Sequence, residues 1–421
     1  MEERRFRTAR IGEMTNVQHQ AVLAGRVVAA GSGRLALQDA SGTIPLHFDT
    51  RVDSCAAGDL VSVHGMGTRS GFNVTEFQVH TKSSGSIESF PPIQVLRERM
   101  RCLAEIRAFF TARDFLEVET PALTPAPDLT PAIRCFETRF HPEVGEPVPL
   151  FLHTSPETHM KRLLSAGCER IFQICTFFRD GECGRLHNPE FTGIEWYEAY
   201  TDYQAVMTTT EALVRSVLLP RLDGVLERDG RRLDLTGGWR REPFFGLIEQ
   251  AVGLDLEGIE TPKRVSRLLR EKGLHTAPDD TLEDLLLRVF VHAVEGDLGW
   301  PAPIFVIDYP RCLGAMARAR DGSPHLVERF ELYIAGIELC NGYSELNDRS
   351  EQLFRFERDR HIKYPLGGIP LDSRFLDAMR AGIPPAGGNA LGFDRLLMLA
   401  LEKHSIEDVR LFPLAAEIES E

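Results

Sequence analysis

The sequence changes its periodicity once, across TKSSGSIESFPP, residues Thr81 to Pro92. Before that break, from about residue 19 to residue 80, short β-branched or alternating stretches follow one another: HQAVLAGRVVAA, RLALQDA, TIPLHFDT, DLVSVHGMGTR and FNVTEFQVH. Gly, Ser and Asp turns part them, which is the pattern of antiparallel strands. Five strands in this length suit a small closed barrel of the OB type, although a small sandwich or SH3-like barrel fits the periodicity equally well. After the break, IQVLRERMRCLAEIRAFFTARDF reads as a helix with Leu96, Met100, Leu103, Ile106 and Phe110 on one apolar stripe. LEVETPALT reads as a strand stopped by Pro121, and irregularly alternating elements follow between Pro-rich loops. Pro220 to Pro301 reads as a charged helical segment outside the main sheet, with Leu282 to Glu295 as its clearest amphipathic helix. The expectation is an all-β barrel over 1–84 and one large α+β domain over 85–421, with no internal repeat and no βαβ series.

Charge and cysteine usage narrow the function. A net charge of −14 argues against a general nucleic-acid coat or an anionic membrane partner, and leaves room for a local basic site. The opening MEERRFRTAR lacks the apolar core of a signal peptide, and no apolar run approaches membrane-spanning length. Cys55, Cys102, Cys135, Cys168, Cys175, Cys183, Cys312 and Cys340 form no C-x-x-C pair, which predicts reduced thiols in a cytoplasm. Cys183 and His187 lie close together but lack a second close pair, so packing or loop roles are expected for them.

Three segments carry chemistry. In FFRDGECGRLHNPEFTGIEWY, Arg179 at a strand end, a polar loop and a returning strand predict a hairpin. Arg179 offers a planar fork of donors suited to a phosphate or carboxylate. His187 and Phe191 could flank a planar ring, or Phe191 could belong to the core. Glu195 and Tyr197 alternate with Ile194 and Trp196, so they share a strand face able to hold an ammonium group. In ERFELYIAGIELCNGYSELND, Glu331 and Glu338 bracket a turn at Ala335-Gly336 and could face each other, recruiting Mg²⁺ beside phosphates. Asn341 and Glu345 follow on the same stretch. In AGGNALGFDRLLMLAL, a Gly-rich strand runs into an apolar helix with Arg395 in its first turn. That end of a helix is already positive, so an anionic or π-rich neighbour is expected.

Taken together, FRDGE…HNPEF, GIELCNGYSEL and GNALGFDR resemble motifs 2 and 3 and the intervening strands of the class II aminoacyl-tRNA synthetases. FLEVETPAL resembles motif 1, the dimer-interface segment, and TSPETHMKRLL, HNPEFT and NGYSELND are similar to the lysyl branch. The resemblance, from about Pro92 to the C-terminus, implies an antiparallel catalytic sheet with flanking helices and formation of an aminoacyl-adenylate from ATP. It implies that Arg179 is catalytic, binding the α-phosphate and the amino-acid carboxylate. Glu182, His187, Asn188, Phe191, Glu338, Gly392 and Arg395 would bind ATP, with adenine between Phe191 and Arg395. Glu331 and Glu338 would hold Mg²⁺. Ser155, Glu157, Glu195, Tyr197, Asn341, Glu345 and Ala390 would line the lysine pocket.

The lysyl branch holds synthetases that acylate tRNA and shorter ligases that attach (R)-β-lysine or lysine to elongation factor P. Thr-Ser-Pro-Glu at Thr154 to Glu157, and Ala390 where synthetases typically carry Gly, resemble the ligases. Two features depart from the family's patterns. Gly181 stands where motif 2 has Glu, with Glu182 next, and a barrel precedes the catalytic region as in the synthetases. That barrel has no Lys/Arg cluster, and Phe48, Phe72 and Phe77 could stack bases or form its core, the commoner case. The expectation is therefore an elongation factor P ligase, homodimeric and cytoplasmic, with tRNA as the alternative acceptor.

Overall fold

The computed structural model describes residues 7–14, 20–30, 34–48, 56–83, 92–259 and 261–418. The chain divides into two compact units, Met1–Ile93 and Gln94–Glu421. The boundary expected at residues 84 and 85, most of the linker and Cys55 lie outside the described residues.

In the first unit the strands Gln20–Ala30, Arg34–Asp39, Gly42–Phe48, Leu60–Thr68 and Gly71–Thr81 form a closed barrel. Neighbours pair antiparallel, and the third and fifth strands close the barrel in parallel, an OB-like arrangement. Alternation drives Leu23, Val27, Leu37, Val63 and Phe72 inward. Phe48 and Phe77 pack edge to face at 6.2 Å against that core, so the phenylalanines build the barrel. Arg7 pairs with Asp39 and Lys82 with Asp59, while Arg26 donates to the Gly58 carbonyl.

The second unit is α+β and centres on one large sheet. Its strands run in the order Arg240–Pro243, Ile304–Pro310, Ser323–Ile334, Ile337–Ser344, Ala386–Gly392, Glu190–Ala199, Arg170–Phe178 and Leu116–Glu117. The interior pairs are antiparallel and the outermost pair at each edge is parallel. One sheet face is apolar: Phe172, Ile194, Trp196 and Leu391 pack under the helices Ile93–Thr111, Tyr203–Leu222 and Phe393–Ala400. The alternate residues point to the opposite face, where the polar side chains gather.

Several sequence expectations need correction. The first catalytic-unit helix buries Val95, Cys102, Ile106, Phe109 and Phe110, whereas Met100 is 73% exposed. The stripe is rotated because Arg99 turns inward to pair with Asp394 at 2.5 Å. LEVETPALT is two short strands in place of one. Leu116–Glu117 joins the large sheet and Leu123–Thr124 joins a separate three-stranded one, with Pro121, which cannot donate a ladder bond, between them. The segment from Pro220 is not wholly outside the sheet: Arg240–Pro243 is its edge strand, and Pro220 lies inside the helix Tyr203–Leu222. Leu282–Ala293 is the expected amphipathic helix, started by a Thr281–Asp284 capping box. Among the described residues no helix is long and apolar enough to cross a membrane.

Candidate active site

The strands Arg170–Phe178 and Glu190–Ala199 form the expected hairpin, closed where the Arg179 amide donates to the Pro189 carbonyl at 2.7 Å. Inside its loop Gly181 has φ +83°, which favours glycine, and a Cβ there would displace the end of the Arg134 side chain. Between this hairpin and the Ala386–Gly392 strand lies a cavity of about 270 Å³. Arg179, Glu182, His187, Asn188, Phe191, Glu338, Gly392 and Arg395 all line it. Arg179 lies 5.3 Å from the Phe191 ring centre and 3.7 Å from Glu182, and its buried Nε has no partner. A Cβ on Gly392 would sit in ordinary contact with Arg395 and Leu339, 3.7 Å away at the nearest.

Arg395 is held more firmly than its sequence position suggests. It donates to the carbonyls of Leu186 at 3.2 Å and Glu338 at 2.7 Å and reaches His187 Nε2 at 2.6 Å. Burial and the Arg395 charge hold the His187 pKa below its ordinary value, so the imidazole stays neutral and accepts. These contacts compensate the cation at the helix start. Asn188 is also engaged within the protein: its amide donates to the Glu190 carbonyl and accepts from the Leu414 amide.

A second cavity, of about 310 Å³, brings together Ser155, Glu157, Glu195, Tyr197, Asn341, Glu345 and Ala390. Arg179, Asn341 and Ala390 line both cavities and form the neck between them. Ser155 Oγ accepts from the Glu157 amide at 3.2 Å as that helix begins. Tyr197 donates to Glu195 at 2.6 Å, which leaves Glu195 Oε2, Glu345 Oε1 and Asn341 Oδ1 buried without partners. Burial and the neighbouring Glu157 charge push Glu195 up to about 8. Burial, opposed by Lys161, pushes Glu345 up to about 8. The cavity therefore presents unpartnered acceptors and carboxyl groups that ionise once a positive charge arrives.

Glu331 and Glu338 do not face each other as the turn suggests. The two-residue turn pairs Ile334 with Ile337 and Tyr333 with Glu338, and beyond a bulge between Leu332 and Tyr333 Glu331 lies opposite Asn341. Glu331 lines neither cavity; Arg329, Tyr309, Tyr333 and Asn341 all donate to it. Glu338 does open into the first cavity, and burial together with the Glu331 charge pushes it up to about 7 against Arg395 and Arg179. A half-buried carboxylate that resists ionisation suits a cation. Among the described residues no cluster of three or more His, Cys, Asp or Glu side chains forms a metal site, Cys183 and His187 included.

Sequence reasoning missed Lys161, Tyr343 and Gly388. Lys161 stands four residues after Glu157, on the same helix face, and Tyr343 alternates with Asn341 and Glu345 on one strand face. Tyr343 donates to Glu157. A Cβ on Gly388 would come within 2.4 Å of both Glu345 and Tyr197, so only glycine lets those side chains lie over the strand.

Comparison with known proteins agrees with this geometry. Residues 92–416 match the family described as tRNA synthetases class II (D, K and N). The chain belongs to that family. A lysine–tRNA ligase of Synechococcus sp. is 36% identical over 93% of this chain and 88% of its own length. The elongation factor P–(R)-beta-lysine ligases of Haemophilus ducreyi and Vibrio atlanticus are each 38% identical over 76% of this chain, covering 94% and 96% of their own lengths. The protein is thus an ATP-dependent amino-acid ligase of the class II synthetase type, in the lysyl branch.

Proposed function

We propose that the protein activates lysine or (R)-β-lysine with ATP and transfers the acyl group to a lysine side chain of elongation factor P. The observation that carries the amino-acid assignment is the second cavity's set of buried, unpartnered acceptors, which call for ammonium groups. At the neck, Arg179 meets the substrate carboxylate and the α-phosphate together, with its Nε free to donate. The carboxylate oxygen attacks the α-phosphorus, pyrophosphate leaves, and Arg179 stabilises the charge that develops. The acceptor amine then attacks the acyl carbon and AMP departs. Adenine stacks between Phe191 and Arg395, whose guanidinium is already oriented by its carbonyl contacts. Glu338 would hold Mg²⁺, which supplies counter-charge for the pyrophosphate, and Glu331 would reach it only by releasing its present donors. No covalent enzyme nucleophile is needed, because positioning and electrostatics suffice.

Ala390 in the neck and Ser155 at the helix start favour the elongation factor P ligase reading. So does a barrel whose Phe72 lies in its core with Phe48 and Phe77 packed against it, and whose Arg7 and Lys82 are paired. One observation favours tRNA as acceptor: the Synechococcus relative matches 93% of the chain, against 76% for the elongation factor P ligases. We infer a homodimer in either case, because Leu116, Leu123 and Phe140 are exposed on and near the motif 1-like segment. The deciding experiment incubates the enzyme with ATP and labelled lysine or (R)-β-lysine, offering elongation factor P and tRNA in parallel. Label on tRNA alone overturns the elongation factor P assignment, and label on neither acceptor overturns both.

A further inference from the structure

Lys161 is 1% exposed, and its ammonium lies 2.6 Å from Glu157 and 2.5 Å from Glu345, itself 1% exposed. Its Nζ also sits 5.2 Å from the Tyr343 ring centre. Burial pulls the Lys161 pKa down, but Glu157 and Glu345 outweigh it and hold the ammonium charged. Glu157 shares its helix, Glu195 and Tyr197 face it from one strand, and Tyr343 and Glu345 face it from another. The helix Ser373–Ala381 contributes Phe375 and Met379 to the apolar cluster that holds Tyr197 and Met160. Around Lys161, three carboxylates against one ammonium leave two negative charges when all are ionised, and the rest of the cavity lining is balanced, with Asp128, Glu283 and Asp359 against Arg179, Arg329 and Arg358. Two is also the number of ammonium groups on lysine, whose carboxylate goes to Arg179.

We propose that Lys161 is the specificity-determining positioning residue of this cavity, a built-in ammonium that sets its capacity at two further positive charges and so selects a diamino acid. The proposal rests on the adenylation reading above. A substrate with one amino group leaves a buried carboxylate uncompensated, which costs more than the lost contact itself. Removing Lys161 creates the same deficit from the protein side. Removing Lys161 and Glu345 together restores parity.

The test measures KM for lysine and for ATP in pyrophosphate exchange, with melting curves, for the wild type, Lys161→Met, Glu345→Gln and the double variant. Lys161→Met is expected to raise the lysine KM about tenfold or more while the ATP KM stays within about twofold. The double variant is expected to recover about tenfold relative to the product of the two single losses. Should Lys161→Met fail to fold, the charge-matched double variant is still expected to fold and bind lysine. Losses that simply multiply, or parallel rises in both KM values, overturn the proposal. A wild type that exchanges pyrophosphate with no diamino acid overturns the adenylation reading itself, and the charge count with it.

Discussion

Glu195 and Ala390 sit directly across from one another on adjacent antiparallel strands, and Ala390 is also the register partner of Asn341 on its other side. Its methyl group therefore stands at the neck between two polar side chains of the amino-acid cavity. Replacing Ala390 by Gly enlarges that space and leaves in place every side chain assigned to ATP. The expected outcome is about a tenfold gain in kcat/KM for α-lysine relative to β-lysine, within the range that one methyl group provides. A lower melting temperature with an unchanged isomer ratio would mean that Ala390 only packs.

Lysine use should depend on pH through Glu195 and Glu345, both raised to about 8. Below that value the empty cavity keeps protons that an arriving ammonium group must displace. From pH 6 to 8 the lysine affinity should rise, by up to about tenfold per pH unit for each proton released, and then level off. The same shifts act on stability with the opposite slope. An acid raised in the folded state ionises more readily in the unfolded chain, so the ligand-free protein should lose melting temperature as pH climbs from the ordinary carboxylate range through 8. Saturating lysine should recover it. Titrations of KM and melting temperature over one pH series check both slopes.

Arg179 and Arg395 should behave differently when removed. Arg179 has an unpartnered Nε and a distant acid at 3.7 Å, so Arg179→Ala should cost about a hundredfold or more in exchange with little change in melting temperature. Arg395 ties two backbone carbonyls and His187 together, so Arg395→Ala should lose both exchange and stability. Near-normal exchange in Arg179→Ala, with unchanged circular dichroism, removes its assigned role.

Every cavity residue named above lies in the unit Gln94–Glu421. Deleting Met1 to Ser84 should therefore leave lysine-dependent pyrophosphate exchange intact. Transfer to elongation factor P should fall only modestly. Specific loss of tRNA charging, seen by acid-gel shift, would promote the tRNA acceptor.

Local pattern carried the strands well, because alternation and turn residues act over a few neighbours. The five barrel strands and the Arg179 hairpin were legible for that reason. What depends on distant partners was not. The inward turn of Arg99 is visible only with Asp394, nearly three hundred residues later. The offset of Glu331 from Glu338 follows from the turn, which pairs Glu338 with Tyr333, but the bulge that moves Glu331 opposite Asn341 is announced by no residue there. Seven expected residues do converge on the second cavity, but the cation paired with two of them, Lys161, reads in the sequence as one more basic residue on a helix.

The neck made by Arg179, Asn341 and Ala390 also sets how such an enzyme can be inhibited. Two modest chambers that share three lining residues favour a single molecule that spans both, since the cost of ordering is then incurred once for both halves. A non-hydrolysable acyl-adenylate mimic with a diamino side chain has that shape. Moving its amino group by one carbon would make selectivity a matter of where the ammonium stops beyond the Ala390 methyl.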